Sequence, residues 1–172
     1  MKALLVTAAA VGLLASTPAF ASAGAPATAS ANADAEIVAP ISVSLNGGGL
    51  NFGRIAPDVN ATTVTVDNNN VRSSLASNVL VPGGSAPHAA LFDVNGASGL
   101  AYTASLASPT TTISGAGPAM TVHLTLYAGS GTIAATSPGD QFKVGGTLDV
   151  GPAATQTAGA YTGSFGVSVQ YN

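Results

Sequence analysis

Tyr161-Thr162-Gly163-Ser164-Phe165-Gly166-Val167-Ser168-Val169-Gln170-Tyr171-Asn172 closes the chain with an unbroken alternation of apolar or small residues and polar or glycine ones. Side chains of a strand point to opposite faces with period two. The segment therefore predicts one β-strand running to the carboxylate, with Phe165, Val167, Val169 and Tyr171 on a face that must be buried. A terminal strand of this kind can be captured by another chain. Its partner is the best clue to function.

Working back from this strand, Gly, Pro, Ser, Thr and Asn punctuate the chain every 8–12 residues or so, the spacing of a sandwich or barrel, and helical periodicity is hard to find beyond the first twenty-one residues. Ile37 to Leu45 reads as a first strand, followed by a turn at Asn46-Gly47-Gly48-Gly49 and by Leu50 and Phe52. A strand with Val64 and Val66 inward precedes the turn Asp67-Asn68-Asn69-Asn70. A less regular stretch (Val71, Leu75, Val79, Leu80, Val81) leads to Ala90-Phe92-Val94, which Asn95-Gly96 is expected to join in a hairpin to Tyr102, Ala104 and Leu106. Met120, Val122, Leu124 and Leu126 alternate with Thr121, His123, Thr125 and Tyr127. Paired Gly145-Gly146, between Phe142-Val144 and Leu148-Val150, predict a bulge or a point where the strand changes sheet. The expected fold is an all-β, antiparallel, Ig-like Greek-key sandwich of seven to eight strands; a partly closed β-barrel is the alternative.

The N-terminus is of a different kind. Lys2, an apolar run from Ala3 to Ala15, a Ser16-Thr17-Pro18 break and Ala19-Phe20-Ala21 fit a secretory signal over 1–21, and the run is shorter than the roughly 20 residues of a membrane helix. Residues 22–34 form an Ala-rich extended tail, and 35–172 the sandwich domain. Odd positions from Ala23 to Leu45 are all apolar, but only Ile37, Ile41, Val43 and Leu45 have bulk. An exported protein in the periplasm, at the cell surface or secreted is expected. Without the signal, three basic residues (Arg54, Arg72, Lys143) face seven acidic ones. So few and scattered cations argue against nucleic acid and against a polybasic membrane patch. The chain has no cysteine, hence no thiol nucleophile.

Reactive chemistry is sparse. His88 and His123 lack metal-ligand spacing, and His123 reads as a solvated side chain on a polar strand face. No G-x-S-x-G elbow occurs. Asp58, Asp67, Asp93, Asp140 and Asp149 lie beside expected turns or strand ends and read as turn formers. Gly129-Ser130-Gly131 has neither the Lys nor the helix of a phosphate loop, and Asp67 to Asn70 lacks the distal Glu of a calcium loop. The expectation is a protein that is not an enzyme, without catalytic, cofactor or metal site.

Four patterns form a set: Pro40-Ile41-Ser42-Val43, then Leu50-Asn51-Phe52-Gly53, then Phe142-x-Val144-Gly145-Gly146-Thr147-Leu148, and lastly the alternating segment from Ala158 to Asn172. The set resembles the domain-of-unknown-function 4402 family of exported bacterial proteins, related in pattern to spore coat protein U and to the pilins of chaperone-usher fimbriae. Tyr171 is penultimate and Gly159 is fourteenth from the end, as in those pilins. What the resemblance implies is an incomplete Ig-like sandwich whose missing strand is lent by a periplasmic chaperone and then replaced, in a fibre assembled with an usher, by the N-terminal segment of another subunit. It makes Gly159, Tyr161, Gly163, Phe165, Val167, Val169, Tyr171 and Asn172 the assembly strand, with Phe165, Val167 and Val169 on the groove floor. The candidate donor is the tail or the bulkier Ala35, Ile37, Ala39, Ile41, Val43 and Leu45. Partners would be copies of the chain or related subunits. The pilin disulfide is absent, and the odd-numbered apolar positions of the outermost tail are all Ala. A self-complemented Ig-like binding or adhesion module, using loops such as Ser108 to Pro118 or Ala128 to Pro138, is the alternative.

Overall fold

Hydrophobic alternation along Thr62–Val66, Ala90–Asn95, Met120–Tyr127 and Asp140–Val150 builds the sheet on which the molecule rests. The computed structural model describes Gly24 and residues 28–76 and 80–172; the expected signal 1–21, Ala23, Ala25 and Ala27 of the tail, and Val79 lie outside the described residues. The described part is all-β, with no helix. In chain order the strands are β1 (Ser42–Asn46), β2 (Arg54–Ile55), β3 (Thr62–Val66), β4 (Arg72–Ser74), β5 (Leu80–Val81), β6 (Ala90–Asn95), β7 (Ala101–Leu106), β8 (Thr110–Gly115), β9 (Met120–Tyr127), β10 (Ser130–Thr132), β11 (Asp140–Val150), β12 (Tyr161–Thr162) and β13 (Val167–Tyr171). Eight of them have five residues or more, in line with the seven to eight expected.

The two layers are antiparallel. The large sheet runs β1-β6-β11-β9-β8-β12, with β3 on β11 and β4 on β3, and the small one runs β10-β7-β13. β2 and β5 pair with each other. On β11, Phe142, Val144, Leu148 and Val150 are 0–2% exposed. Burying a side chain of that size is worth about 1.5–3 kcal/mol. Tyr102 and Ala104 of β7 close the core from the small sheet. Ile37–Asn172 forms one compact unit.

The glycine pair forms neither the expected bulge nor a change of sheet: the register of β11 on β9 runs unbroken from Lys143 to Leu148, and what changes is the partner strand within one sheet. Along one edge β11 pairs with β6 as far as Val144↔Ala90, and from Gly146↔Val66 onward with β3. Gly145 sits at the switch, where a Cβ would run into the Val66 carbonyl and come within 3.0 Å of Tyr127 Cε2. The Asp67 turn forms as expected: Asp67 Oδ1 accepts from the N–H groups of Asn69 and Val71, and Asn70 takes the left-handed conformation.

Four further expectations are corrected. β6 and β7 form no hairpin, because Asn95-Gly96 opens a connection that carries the chain into the other sheet, and the positive φ falls on Gly99. Ser108 to Pro118 is no loop, since the Thr111 and Ile113 alternation makes β8 against β9. Asp93 is mid-strand rather than at a turn, and its carboxylate accepts from the Asn46 and Gln141 amides. The terminal segment is two short strands. β12 pairs with β8 and β13 with β7, and 163–166 bridges the layers. Gly163 lies so close to β8 that a Cβ would meet the Thr112 carbonyl. Thr111 Oγ1 donates to Ser164 O at 2.7 Å, and the chain then leaves the large sheet.

Candidate functional site

The small sheet does not cover the whole inner face of the large one. Beside it lies a cleft of about 1060 Å3, and no residue of β7, β10 or β13 lines it. Its floor is Phe92, Met120, Val122, Leu124, Leu148 and Val150, from β6, β9 and β11. One wall is Leu45 and the stretch from Gly49 to Ile55; the other is the stretch from Gln156 to Phe165, with Thr111 and Ile113 of β8. The lining is mainly apolar. Arg54 is exposed at its rim.

Both walls are held by specific bonds. The Arg72 guanidinium donates through Nη1 to Phe52 O (3.0 Å) and Arg54 O (2.8 Å) and through Nη2 to Val81 O (3.2 Å), tying the first wall to β5. A planar fork with several N–H donors suits three carbonyls at once. On the far wall Tyr161 Oη donates to Thr157 O, and Gln156 Nε2 to Pro118 O. Phe165 reaches inward, its ring edge-on to Phe92 at 6.2 Å, and Phe92 stacks on Phe142 at 5.2 Å.

A second feature is the free edge of β13. Ala107 N donates to Gly166 O and Asn172 N to Ala101 O, so even-numbered residues turn their backbone groups toward β7. In an antiparallel ladder the odd ones then point away. Val167, Val169 and Tyr171 thus present N–H and C=O groups to an edge that has no partner strand among the described residues. Their side chains turn into the core beside it, half-buried.

The positions singled out in the sequence divide between these features. Gly159, Tyr161, Gly163 and Phe165 line the cleft, whereas Val167, Val169 and Tyr171 belong to the free edge. Asn172 is exposed, and its Oδ1 accepts from Thr103 Oγ1. At the other end, Ala35 and Ile37 lie outside any strand, with Ile37 97% exposed. Ala39 is exposed too, with its carbonyl on Tyr171 Oη. Ile41 packs half-buried against the core, and Val43 and Leu45 sit in β1 opposite Val94 and Phe92. The cleft floor was legible only as core. Ile113 stands outside the residues expected at a site, because the sequence from Ser108 to Pro118 suggests a loop where the structure has β8.

Outside the cleft, His123 Nε2 meets Asp149 Oδ2 at 2.9 Å on the solvent face, and His88 Nδ1 faces Ala86 O. Tyr102 donates to Asp140 Oδ2 at 3.0 Å. Burial first, and then the Asp140 hydrogen bond and charge, push the phenol from its usual 10.0 to about 12. Among the described residues no group of three or more His, Cys, Asp or Glu gathers as a metal site, and no helix is long and apolar enough to cross a membrane.

Over residues 41–171 the chain matches the family described as Domain of unknown function (DUF4402), and it belongs to that family. No curated protein and no solved structure matches it.

Proposed function

We propose that this chain is a non-enzymatic, exported structural subunit, pilin-like, which assembles into a surface fimbria or coat by β-strand complementation. The observation that carries the reading is the apolar cleft bordered by a wall that leads into the unpaired edge of β13. A strand added at such an edge satisfies the backbone groups, while alternate side chains fill the apolar space. An edge left open is an aggregation hazard, and covering it is what assembly would achieve.

The occupant in this reading is the N-terminal segment of another copy. Residues 28–38 are exposed, belong to no sheet and keep the apolar alternation through Ala29, Ala31, Ala33, Ala35 and Ile37. At about 3.3 Å per residue these eleven residues extend about 36 Å, against about 17 Å for the five residues of β13. Before assembly, a periplasmic chaperone would lend the strand, and an usher would hand the subunit on. The signal-like first 21 residues and the paucity of charge support export to the periplasm and cell surface.

One observation favours the alternative, a self-complemented secreted binding or adhesion module: β1 already pairs with β6 of its own chain over five residues. Gel filtration and electron microscopy of the protein from residue 22, with and without residues 22–36, decide between them. Oligomers or filaments that disappear on deletion are expected. A chain that stays monomeric at high concentration, with its N-terminal segment protected from protease, overturns the proposal.

A further inference from the structure

The Tyr171 hydroxyl makes two bonds that join distant parts of the chain. It donates to the Ala39 carbonyl at 2.7 Å and accepts from the Ala97 N–H at 2.7 Å. The ring is fixed by its strand, where Tyr171 stands opposite the fully buried Tyr102. The approach is tight. A Cβ on Gly96 would run into this hydroxyl and come within 2.9 Å of Ile133 Cδ1.

The chain changes character at the bonded carbonyl. Before it, Ile37 is 97% and Val38 44% exposed, and neither belongs to a strand. After it, Ile41 packs against the core, and Ser42 to Asn46 pair with Asn95 to Leu91 of β6. We infer that the Tyr171 hydroxyl fastens the chain at Ala39, so that of the described chain before it residues 28–38 are free to serve a neighbour and Ile41 to Leu45 stays behind as the domain's own edge strand. The inference rests on the strand-complementation reading for what the free segment does, but not for where it begins. It settles the competition between two candidate donors by geometry: a segment held at Ala39 and paired beyond it cannot leave.

A phenylalanine keeps the ring and loses both bonds, because each uses the hydroxyl. Loss of one modest hydrogen bond speeds opening by about five-fold. Hydrogen exchange on the protein from residue 22, normalised to the amides of β11, should show the alternate amides within Ile41 to Asn46 that face β6 protected and residues 28–38 unprotected. Tyr171→Phe should raise exchange at those protected amides by about five-fold or more and leave 28–38 unchanged. Gly96→Ala, which displaces the hydroxyl without removing it, should do the same and serves if the first variant fails to fold. Absence of that alternate protection in the unaltered protein, or unchanged rates in both variants, overturns the fastening. The oligomeric state of the same samples separates the two ideas. Protection as expected in a protein that never assembles sinks the complementation reading and leaves the fastening standing. Filaments in which Ile41 to Asn46 have lost their protection from β6 sink the fastening alone.

Discussion

Under the small sheet, the inner face of the large one is sealed: Val94, Phe142 and Val144 are 0–1% exposed, and Tyr102 of the covering strand is 0% exposed. At the cleft the floor is hardly more accessible, with Val122, Leu148 and Val150 1–2% exposed, and the apolar surface left open is on the walls, where Leu45 is 50% exposed and Phe165 half-buried. One part reaches interior packing within a single chain, and the other leaves apolar lining around space. Interiors are packed like organic crystals, so a gap of this size forfeits contacts that another segment can supply. The sealed part is where folding stability should reside, and the open part is where binding energy remains to be gained.

Truncations on the two sides sharpen this contrast most. Phe142→Ala removes a ring that is 1% exposed and stacked on Phe92, and should lower unfolding free energy by about 3–5 kcal/mol in urea titrations. Phe165→Ala should lower it by only about 1–2 kcal/mol, because full burial of such a side chain is worth about 1.5–3 kcal/mol and this ring is half-buried. Equal losses would mean that the open side is as well packed as the closed one. In oligomers the Phe165 substitution should gain weight, as faster dissociation on dilution.

Gly145→Val tests the seam between β6 and β3. Its side chain has nowhere to go but the Val66 carbonyl, so a loss of about 1–3 kcal/mol by overpacking is expected, read as a lower urea midpoint.

A smaller effect comes from the phenol inside the sealed part. Tyr102 titrates near 12 in the folded protein against 10.0 when unfolded, so above pH 10 the unfolded chain gives up this proton first. The stabilisation is complete below pH 10 and is lost as pH rises through about 12. Thermal midpoints should therefore fall over that window. Tyr102→Phe should flatten the fall and cost about 1 kcal/mol at neutral pH for the Asp140 hydrogen bond. An unchanged slope would mean that the buried hydroxyl is not what the alkaline limb reports.

How far the sequence discloses these two parts follows from the range of the interactions. Alternation is local, so Val64, Val66, Phe92, Val122, Phe142 and Leu148 are legible as core, and the Asp67 turn carries its own signature, whereas the glycine pair marks a special place in β11 without telling a bulge from a change of partner. Pairing is not local. Nothing in Asn95-Gly96 tells a hairpin from a crossing between layers, because Ile133 and Tyr171, which pack over Gly96, arrive from far along the chain. The terminal alternation likewise predicts one strand, and only the close contact of Gly163 with β8 explains the break before Val167. The cleft was least legible. It is a property of how two walls from distant parts of the chain stand apart beside Val122 and Leu148, and no residue pattern records that spacing.

The smallest effect belongs to the outer face of the same sheet, where neither part of the contrast applies. His123 and Asp149 are bonded at 2.9 Å, but their side chains are 55% and 49% exposed. Water and salt screen such a pair, and ordering two side chains offsets most of its attraction. His123→Ala should shift unfolding free energy by no more than about 0.5 kcal/mol, with no change between low and high salt beyond the measurement error. A loss above about 1 kcal/mol would show that this face is desolvated in solution, by a second copy packing flat on the sheet. Covering would then be as unequal between the two sides of the sheet as between the two parts of its inner face, and the cleft would no longer be the place where a neighbour has most to gain.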